Sequence, residues 1–265
     1  MSAYRHTGKQ QRPDVLVCAG LDPSGGAGLL ADARVITQLG GRPVGVVTAL
    51  TIQNTTGMLG THACDAEIVG QQLTFLMTDV EVRAVKIGMI GSAELAKAIA
   101  NALHLTNAPV IWDPIGGPSR GSGDYAEVLA DSIAALRPHL ALVTPNRNEL
   151  ALLAKRPVDD LASAEAAGQA LAAALDCAIL VKGGHFDGDE SIDLLLHGRE
   201  RTTLRAPRVP GGEHVHGTGC ALSSAIAANL ALGKGLAEAC QLAKDFVLER
   251  IADPQTPGRG APAIV

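Results

Sequence analysis

Residues 14–39, "DVLVCAGLDPSGGAGLLADARVITQL", contain three kinds of sequence pattern in a row. The short apolar run at 14–20 is typical of a buried strand, and a glycine-rich polar turn follows it directly. A helical pattern then covers 28–39. The segment therefore predicts a strand–turn–helix unit, from which α/β proteins are built.

The same order of patterns repeats along the chain. Further apolar or β-branched runs lie at 43–50, 82–90, 108–114, 140–146 and 177–184. Helical patterns lie between and after them, at 65–78, 93–103, 124–136, 147–154, 163–175, 218–232 and 235–252. This alternation predicts an α/β fold with a mainly parallel central sheet covered by helices on both faces. Residues 191–209 look instead like a polar hairpin.

Nothing in the sequence divides the chain into several domains. Its 265 residues are enough for one large domain with a substantial core. Linkers, internal repeats and low-complexity blocks are absent from the sequence. We therefore predict one domain over 14–265, preceded by a flexible polar tail over 1–13.

Composition and charge argue against several classes of binding partner. The formal net charge is −5, the pI is about 5.9, and charged residues are scattered, which argues against a nucleic-acid surface. The five cysteines form no CxxC pair and make a poor disulfide framework, which favours a reducing cytoplasm. The N-terminus lacks the apolar core of a signal peptide, and glycine and charge interrupt the alanine-rich helices. We expect a cytoplasmic protein that acts on a small molecule, without nucleic acid or membrane as partner.

Six unusual segments fall at the ends of predicted strands. They are "AGLDPSGGAG", "TALTIQNTTG", "KIGMIG", "DPIGGPSRGSG", "TPNRNE" and "KGGH". Each alone is compatible with an ordinary turn. In open α/β sheets, however, ligands bind beyond the carboxyl ends of the strands, so six such segments on one rim predict a ligand site.

Two segments are candidates for binding a phosphate group. Residues 26–31, "GAGLLA", fit the G-x-G-x-x-G/A dinucleotide pattern, but the next predicted strand lacks the acidic residue that would bind a ribose hydroxyl. No Walker A loop occurs in the sequence. "HGTGC", residues 216–220, is the better candidate, because Gly217 and Gly219 let backbone N–H groups turn inward where a helix begins.

Cys220 lies in the first turn of the predicted helix 218–232. The first N–H groups of a helix have no internal partner, and the helix dipole places a partial positive charge there. This field predicts a lowered thiol pKa. Three interpretations follow: a nucleophile, a proton acceptor beside bound phosphate, or a small packing residue.

Three charged residues on the same rim suit phosphoryl transfer. That reaction needs an anion cradle, a metal ion or lysine against the phosphates, and a base near the acceptor hydroxyl. Asp113 and Glu149 could order a magnesium ion, and Lys182 could bridge phosphates. Each also has an ordinary interpretation: a turn cap for Asp113, a helix N-terminal carboxylate for Glu149 and a solvated lysine for Lys182.

In order and spacing, the motifs resemble those of one kinase family. "GLDPSGGAGLLAD", "ALTIQNTTG", "KIGMIGS", "TPNRNE", "KGGH" and "HGTGCALSSAIA" are similar to motifs of the hydroxymethylpyrimidine and phosphomethylpyrimidine kinases of thiamine biosynthesis. The resemblance implies a ribokinase-like fold, a three-layer αβα sandwich without a separate lid domain, and a homodimer. It also implies ATP- and Mg²⁺-dependent phosphorylation of 4-amino-5-hydroxymethyl-2-methylpyrimidine and then of its monophosphate.

The resemblance further implies roles for individual residues. Gln53 would recognise the aminopyrimidine, since its amide offers a donor and an acceptor. Cys220 would be the general base, where the superfamily's sugar kinases have aspartate. The other implied site residues are Asp32, Gly20, Met89 and Ile115 at the pyrimidine; Thr144, Asn146 and Lys182 at ATP; Asp113 and Glu149 at magnesium; and Gly217, Thr218 and Gly219 at the transferring phosphoryl group.

One segment departs from the family's pattern. The family commonly has a methionine or leucine and then a Lys-Ser-Gly flap after its Asp-Pro-Val, whereas this chain continues from Ile115 into "GGPSRGSG" at 116–123. So many glycines suggest a mobile lid that orders on substrate binding, with residues that differ from those of the family's flap.

Three alternative functions remain open from the sequence. A pyridoxal or pyridoxine kinase of the same superfamily shares the "HGTGC" motif. A non-catalytic pyrimidine-binding module would have no need of a phosphate cradle and metal carboxylates. A dinucleotide-dependent oxidoreductase depends on residues 26–31 alone.

Overall fold

Nine strands and eight helices account for most of the described chain. The computed structural model describes residues 11–115, 124–184 and 188–264, so most of the predicted tail over 1–13 and the whole segment 116–123 lie outside it. The strands are β1 (Asp14–Leu21), β2 (Arg42–Asn54), β3 (Gly57–Ala63), β4 (Val82–Ile87), β5 (Val110–Trp112), β6 (Leu140–Val143), β7 (Ala178–Val181), β8 (Glu190–His197) and β9 (Glu200–Pro207). The helices are α1 (Gly28–Gln38), α2 (Ala66–Met77), α3 (Ala93–Leu103), α4 (Asp124–Leu136), α5 (Arg147–Ala154), α6 (Leu161–Leu175), α7 (Thr218–Ala231) and α8 (Leu236–Ala252).

The strands form one sheet in the order β3-β2-β1-β4-β5-β6-β7-β8-β9. Its six central strands, β2, β1, β4, β5, β6 and β7, run parallel to one another. β3 pairs antiparallel at one edge, and β8 and β9 pair antiparallel at the other. The predicted α/β fold with a mainly parallel sheet is therefore confirmed, and the predicted hairpin at 191–209 is β8 and β9.

Alternate residues of the central strands belong to two separate core clusters. Val15 and Val17 of β1 cluster with residues of α1, α7 and α8. Leu16 and Cys18 cluster with residues of α2, α3 and α6. Successive side chains of a strand point to opposite faces, so each face of the sheet has its own helices.

One predicted rim segment is a hairpin in the structure. The strand predicted at 43–50 extends to Asn54 and turns into β3. The turn is stabilised by Asn54 Oδ1, which accepts hydrogen bonds from the backbone N–H and hydroxyl of Thr56. The extension carries Gln53 out beyond the end of the parallel strands, over the rim.

Most predicted helices have nearly the same bounds in the structure. α6 begins two residues before the predicted position, because Asp160 and Ser163 form a capping box at its N-terminus. Among the residues that the structure describes, no helix combines the length and the apolar character needed to cross a membrane.

Candidate active site

A cavity of about 920 Å³ lies at the carboxyl ends of the parallel strands. It extends from β1 and β4, between which the strand order reverses, to the start of α7 and the side of α8. Such a reversal point is where open α/β sheets bind ligands. The sequence-predicted residues on its wall are Gly20, Gln53, Met89, Asp113, Ile115, Asn146, Glu149, Lys182, Gly217, Thr218, Gly219 and Cys220.

The start of α7 forms the anion-binding part of the cavity. Gly217 precedes the helix with φ +86°, a conformation that favours glycine, and a Cβ there would lie 2.0 Å from the carbonyl oxygen of Gly26. The two glycine-rich turns therefore pack directly against each other. The first N–H groups of α7 lie at the cavity wall, where they are suited to bind an anion.

The same contacts explain the dinucleotide-like pattern at 26–31. A Cβ on Gly28 would lie 2.2 Å from the carbonyl oxygen of Gly20, and one on Gly26 would lie 2.9 Å from the ring of His216. These glycines thus let the chain pack closely against β1 and against the turn before α7. Their packing accounts for the pattern without a dinucleotide.

Lys182 joins the two candidate metal carboxylates. Its Nζ lies 2.7 Å from Asp113 Oδ1 and 3.6 Å from Glu149 Oε2. A Cβ on Gly219 would lie 3.3 Å from this Nζ, so the ammonium group is beside the start of α7. The loop that carries Lys182 is fixed by Gly183, whose N–H donates to Asp193 Oδ1 at 2.7 Å. Lysine, carboxylates and helix N-terminus therefore meet at one place.

The charges at this place reinforce one another. Burial by itself would lower the pKa of Lys182, but Asp113 and Glu149 outweigh it and hold that pKa above its ordinary value. Burial likewise raises the pKa of Asp113, and Lys182 and Lys86 outweigh it and hold that pKa below its ordinary value. Lys182 is thus a cation and Asp113 an anion at neutral pH.

The two carboxylates suit a magnesium ion that keeps other ligands. Mg²⁺ is usually held by one or two carboxylates, with waters and substrate phosphates completing its shell. In the described residues there is no cluster of three or more acidic, histidine or cysteine side chains that could form a protein-only cage. Asp113 and Glu149, bridged by Lys182 at a cavity wall, fit the first arrangement.

Asn146 and Thr144, predicted at ATP, differ in exposure. Asn146 lines the cavity and caps α5, where its Oδ1 accepts from the N–H groups of Asn148 and Glu149. Glu149 completes the capping box through the N–H of Asn146, 2.7 Å away. Thr144 is fully buried, and its hydroxyl donates to Asp113 Oδ1 at 3.2 Å. The structure therefore places Thr144 behind the cavity wall, supporting Asp113.

The expectation of a lowered Cys220 pKa is wrong. Burial raises the pKa of the Cys220 thiol to about 11, while the charge of Lys86 and a hydrogen bond from the Gly28 N–H pull it down, and Asp32 and Asp113 push it up. Desolvation of the thiolate is the largest of these effects and sets the direction of the shift. Cys220 is 7% exposed and still lines the cavity.

Gln53 belongs to a polar cluster that the sequence did not reveal. Its Nε2 lies 3.3 Å from Asp22 Oδ2 and 3.2 Å from His216 Nε2. Asp22 also accepts from the N–H groups of Ser24 and Ala27, so it ties the first glycine-rich turn to Gln53. Because an amide oxygen would be repelled by the carboxylate, Asp22 fixes the amide with its NH₂ inward and Oε1 available as an acceptor.

Asp32 does not reach the cavity wall where the resemblance placed it. The residue is fully buried in α1, its Oδ2 lies 2.6 Å from Lys86 Nζ, and its Oδ1 accepts from the Ser224 hydroxyl at 2.8 Å. Both carboxylate oxygens therefore have partners inside the protein. We correct the expected pyrimidine contact to a supporting position beneath the site.

A second region of the cavity wall was also missed. It is formed by apolar residues of α7, α8 and the segment after β9, namely Leu222, Val247, Leu248, Ile251 and Val209. Its polar end is the pair Lys244–Asp193, with 2.8 Å between Nζ and Oδ2. In the sequence these residues are part of ordinary helical and strand patterns, so only the tertiary structure reveals a common surface.

Comparison with known proteins gives consistent results. The family model described as phosphomethylpyrimidine kinase matches residues 22–264. A hydroxymethylpyrimidine/phosphomethylpyrimidine kinase of Streptomyces coelicolor is 40% identical over 236 residues, covering 89% of this chain and 87% of that protein. The structure of a phosphomethylpyrimidine kinase from Clostridium difficile is similar with TM-score 0.76 and 30% identity, covering 91% of this chain and all of that one.

The fold is shared with pyridoxal kinases as well. The structure of the Staphylococcus aureus pyridoxal kinase in complex with ADP has TM-score 0.87 and 25% identity, covering 97% of this chain and 94% of that one. The sequence relationship is nevertheless stronger to the pyrimidine kinases, in identity and in the family model alike. With a match from Asp22 to Ile264 that spans the rim segments and the α7 turn, the chain belongs to the phosphomethylpyrimidine kinase family.

Proposed function

We propose that this protein transfers a phosphoryl group from ATP to the hydroxymethyl oxygen of 4-amino-5-hydroxymethyl-2-methylpyrimidine, and then a second one to the monophosphate. The product is the pyrimidine diphosphate used in thiamine biosynthesis. The observation that carries the proposal is the convergence of Lys182, Asp113 and the start of α7 on one cavity that also contains Gln53. A phosphate-binding end and an amide-bearing end are what a kinase for a small aminopyrimidine needs.

At the phosphate end, each residue has a distinct task. We assign Lys182 to bridging the phosphates, and the N–H groups of Gly217, Thr218 and Gly219 to the charge that builds up on the transferring group. We assign Asn146, the N-cap residue of α5 on the cavity wall, to ATP binding. Asp113 and Glu149 would hold Mg²⁺, which screens the charge of the phosphates when bound. We place the adenine against the apolar wall formed by Leu222, Val247 and Ile251.

At the pyrimidine end, Gln53, Gly20, Met89 and Ile115 surround the ring. Gln53 Oε1 accepts from the ring's amino group, because Asp22 fixes the amide in that orientation. The substrate oxygen attacks the γ-phosphorus of ATP; the new P–O bond forms as the bond to the β-phosphate oxygen breaks, and ADP leaves. The hydroxyl proton passes to the thiolate of Cys220.

Gln53→Ala should weaken pyrimidine binding selectively. Losing a hydrogen bond in a partly buried site should raise the KM for the pyrimidine about tenfold, equivalent to about 1.4 kcal/mol, with little change in the KM for ATP. Steady-state kinetics with each substrate varied in turn measures this. Gln71→Ala is the matched control, because Gln71 is an exposed glutamine of α2 bonded to Glu67. Equal effects on the two KM values would instead indicate a structural role for Gln53.

The function itself is tested by acceptor profiling of the purified enzyme. With ATP and Mg²⁺, we expect the aminopyrimidine alcohol to be phosphorylated first and its monophosphate to accumulate a second phosphate with time. Pyridoxal and pyridoxine are offered in competition, since kinases for pyridoxal share this fold. A large preference for pyridoxal would overturn the proposal.

The remaining expectations concern the whole protein. We propose a ribokinase-like three-layer αβα sandwich over 14–265, without a separate lid, that acts in the cytoplasm, consistent with five free cysteines. We also propose a homodimer. Its support is the number of exposed apolar side chains on β2, β3 and α2: Leu50, Ile52, Leu59, Ile68 and Phe75. Sedimentation equilibrium that gave the mass of one chain would contradict the dimer.

A further inference from the structure

A fully buried ion pair lies beneath the cavity and takes no direct part in the proposed reaction. Lys86 of β4 and Asp32 of α1 both have no exposed side-chain surface, and Nζ lies 2.6 Å from Oδ2. Burying two charges is costly, and apolar residues of similar size often stabilise a core as well or better. Stability alone therefore does not explain the pair.

The pair is packed on the side of the sheet that carries α7. Lys86 follows Ala84 by two residues in β4, so it shares the face on which Ala84 clusters with α1 and α7. Ser224, whose hydroxyl donates to Asp32 Oδ1 at 2.8 Å, is one helical turn after Cys220. Residues four apart lie on the same face of a helix, so Cys220 faces the same layer as Asp32.

Two glycines bring the charged groups and the thiol together. A Cβ on Gly88 would lie 2.8 Å from Lys86 Nζ, so glycine leaves room for the ammonium group near the rim end of β4. The backbone N–H of Gly28 donates to the sulfur of Cys220. Elements α1, β4 and α7 thus converge on the thiol.

Among the described residues, the charged side chains that act on Cys220 include Lys86 from β4, Asp32 from α1, Asp113 after β5 and Lys182 after β7. Lys86 has the strongest effect on the thiol of these charges and favours the thiolate, against Asp32 and Asp113. Burial alone would lower the pKa of Lys86, but Asp32 above all reverses this and holds it above its ordinary value. Asp32 therefore keeps Lys86 positively charged at a position where this charge favours the thiolate of Cys220.

We infer that the Lys86–Asp32 ion pair is a positioning element for Cys220: Lys86 stabilises the thiolate that takes the substrate's proton, and Asp32 holds Lys86 in place and charged. Neither residue touches the substrate, so both are positioning residues. The inference rests on the proposed role of Cys220 as the base, but its central measurement is made on the thiol and needs no turnover.

The test follows alkylation of Cys220 by iodoacetamide against pH, with the modified peptide quantified by mass spectrometry. Lys86→Met should move the titration of Cys220 upward by about one pH unit, because it removes the positive charge that favours the thiolate. Asp32→Asn should also move it upward, because the buried Lys86 then loses the carboxylate that holds it charged. Damage to packing would instead let water reach the thiol and move its titration downward, because burial is what raises its pKa. Ser224→Ala is the matched control, because it removes a contact of Asp32 without changing a charge, and it should titrate like the wild type.

A single variant leaves one buried charge unpaired and can fail to fold, so the double variant Lys86→Met/Asp32→Leu decides the question. It removes both charges together and should fold. We expect its Cys220 to titrate above the wild type, because the effect of Lys86 on the thiol exceeds that of Asp32. We also expect a lower kcat, with the KM for ATP little changed. A wild-type titration in the double variant, or a downward shift in either single variant, would overturn the inference. Full turnover in Cys220→Ala would instead overturn the base assignment and leave the titration result intact.

Discussion

Cys220→Ala is expected to lower kcat by about 100-fold or more, while the affinities for ATP and the pyrimidine stay nearly unchanged. The loss of a positioned general base usually has an effect of this size. The side chain is small, it is 7% exposed, and alanine at this position keeps the backbone N–H groups at the start of α7. Single-turnover kinetics and calorimetric titration with each substrate separate the chemical step from binding.

The matched control for this variant is Cys177→Ala. Cys177 is also buried but is on the cluster of α2, α3 and α6, away from the cavity wall, so its replacement should affect stability and leave kcat nearly unchanged. If Cys220→Ala also kept its turnover, the thiol would be a packing residue. A stable covalent phosphoryl adduct on Cys220 would support the nucleophile interpretation in place of the base.

The pH dependence gives a second readout of the same residue. Since burial raises the pKa of Cys220 to about 11, the thiolate fraction increases with pH throughout the neutral and mildly alkaline range. While the chemical step is rate-limiting, kcat should therefore rise between pH 7 and pH 9, by up to about tenfold per pH unit. Cys220→Ala should lose this slope. A flat wild-type profile would argue against proton transfer to this thiol.

The case of Cys220 shows what sequence reasoning could and could not reach. The glycines of "HGTGC" predicted the helix start correctly, because the backbone conformation of a turn depends on the residues within that turn. The direction of the thiol's pKa shift was predicted wrongly. That direction depends on how α1 and β4, which are distant in the chain, surround the thiol. The field of the helix terminus can be inferred from adjacent residues, whereas desolvation depends on the tertiary structure.

Asp32 illustrates the same limit. Its place in a helix followed from the pattern over 28–39, but its partner Lys86 is 54 residues away on another element. A charged residue inside the apolar run "VRAVKIGMI" was the available signal for a buried ion pair. The extension of β2 into a hairpin was likewise missed, because polar "TIQNTTG" has the composition of a turn and pairs only through tertiary context.

Lys182→Met is expected to lower kcat by about 100- to 1,000-fold and to weaken ATP binding as well. This is the usual range for losing one group that stabilises transition-state charge. The variant also leaves Asp113 and Glu149 without the ammonium group that lies 2.7 Å and 3.6 Å from them, so negative charge remains where the phosphates must bind. Unlike Cys220→Ala, this variant should therefore change kcat and the Kd for ATP together, as measured by turnover assays and calorimetry.

Lys234→Met is the matched control. Lys234 is a half-exposed lysine in the loop before α8, and it pairs with Glu238 in the first turn of that helix. Both residues lie away from the cavity wall. It should leave kcat and the Kd for ATP unchanged. Raised ionic strength should weaken ATP binding to the wild type more than to Lys182→Met, because only the wild type keeps the lysine–phosphate attraction. A Lys182→Met enzyme with kcat within threefold of the wild type would contradict the bridging role. The ion pair with Asp113 would then serve to hold the end of β7 against β5, and the phosphates would depend on the helix start alone.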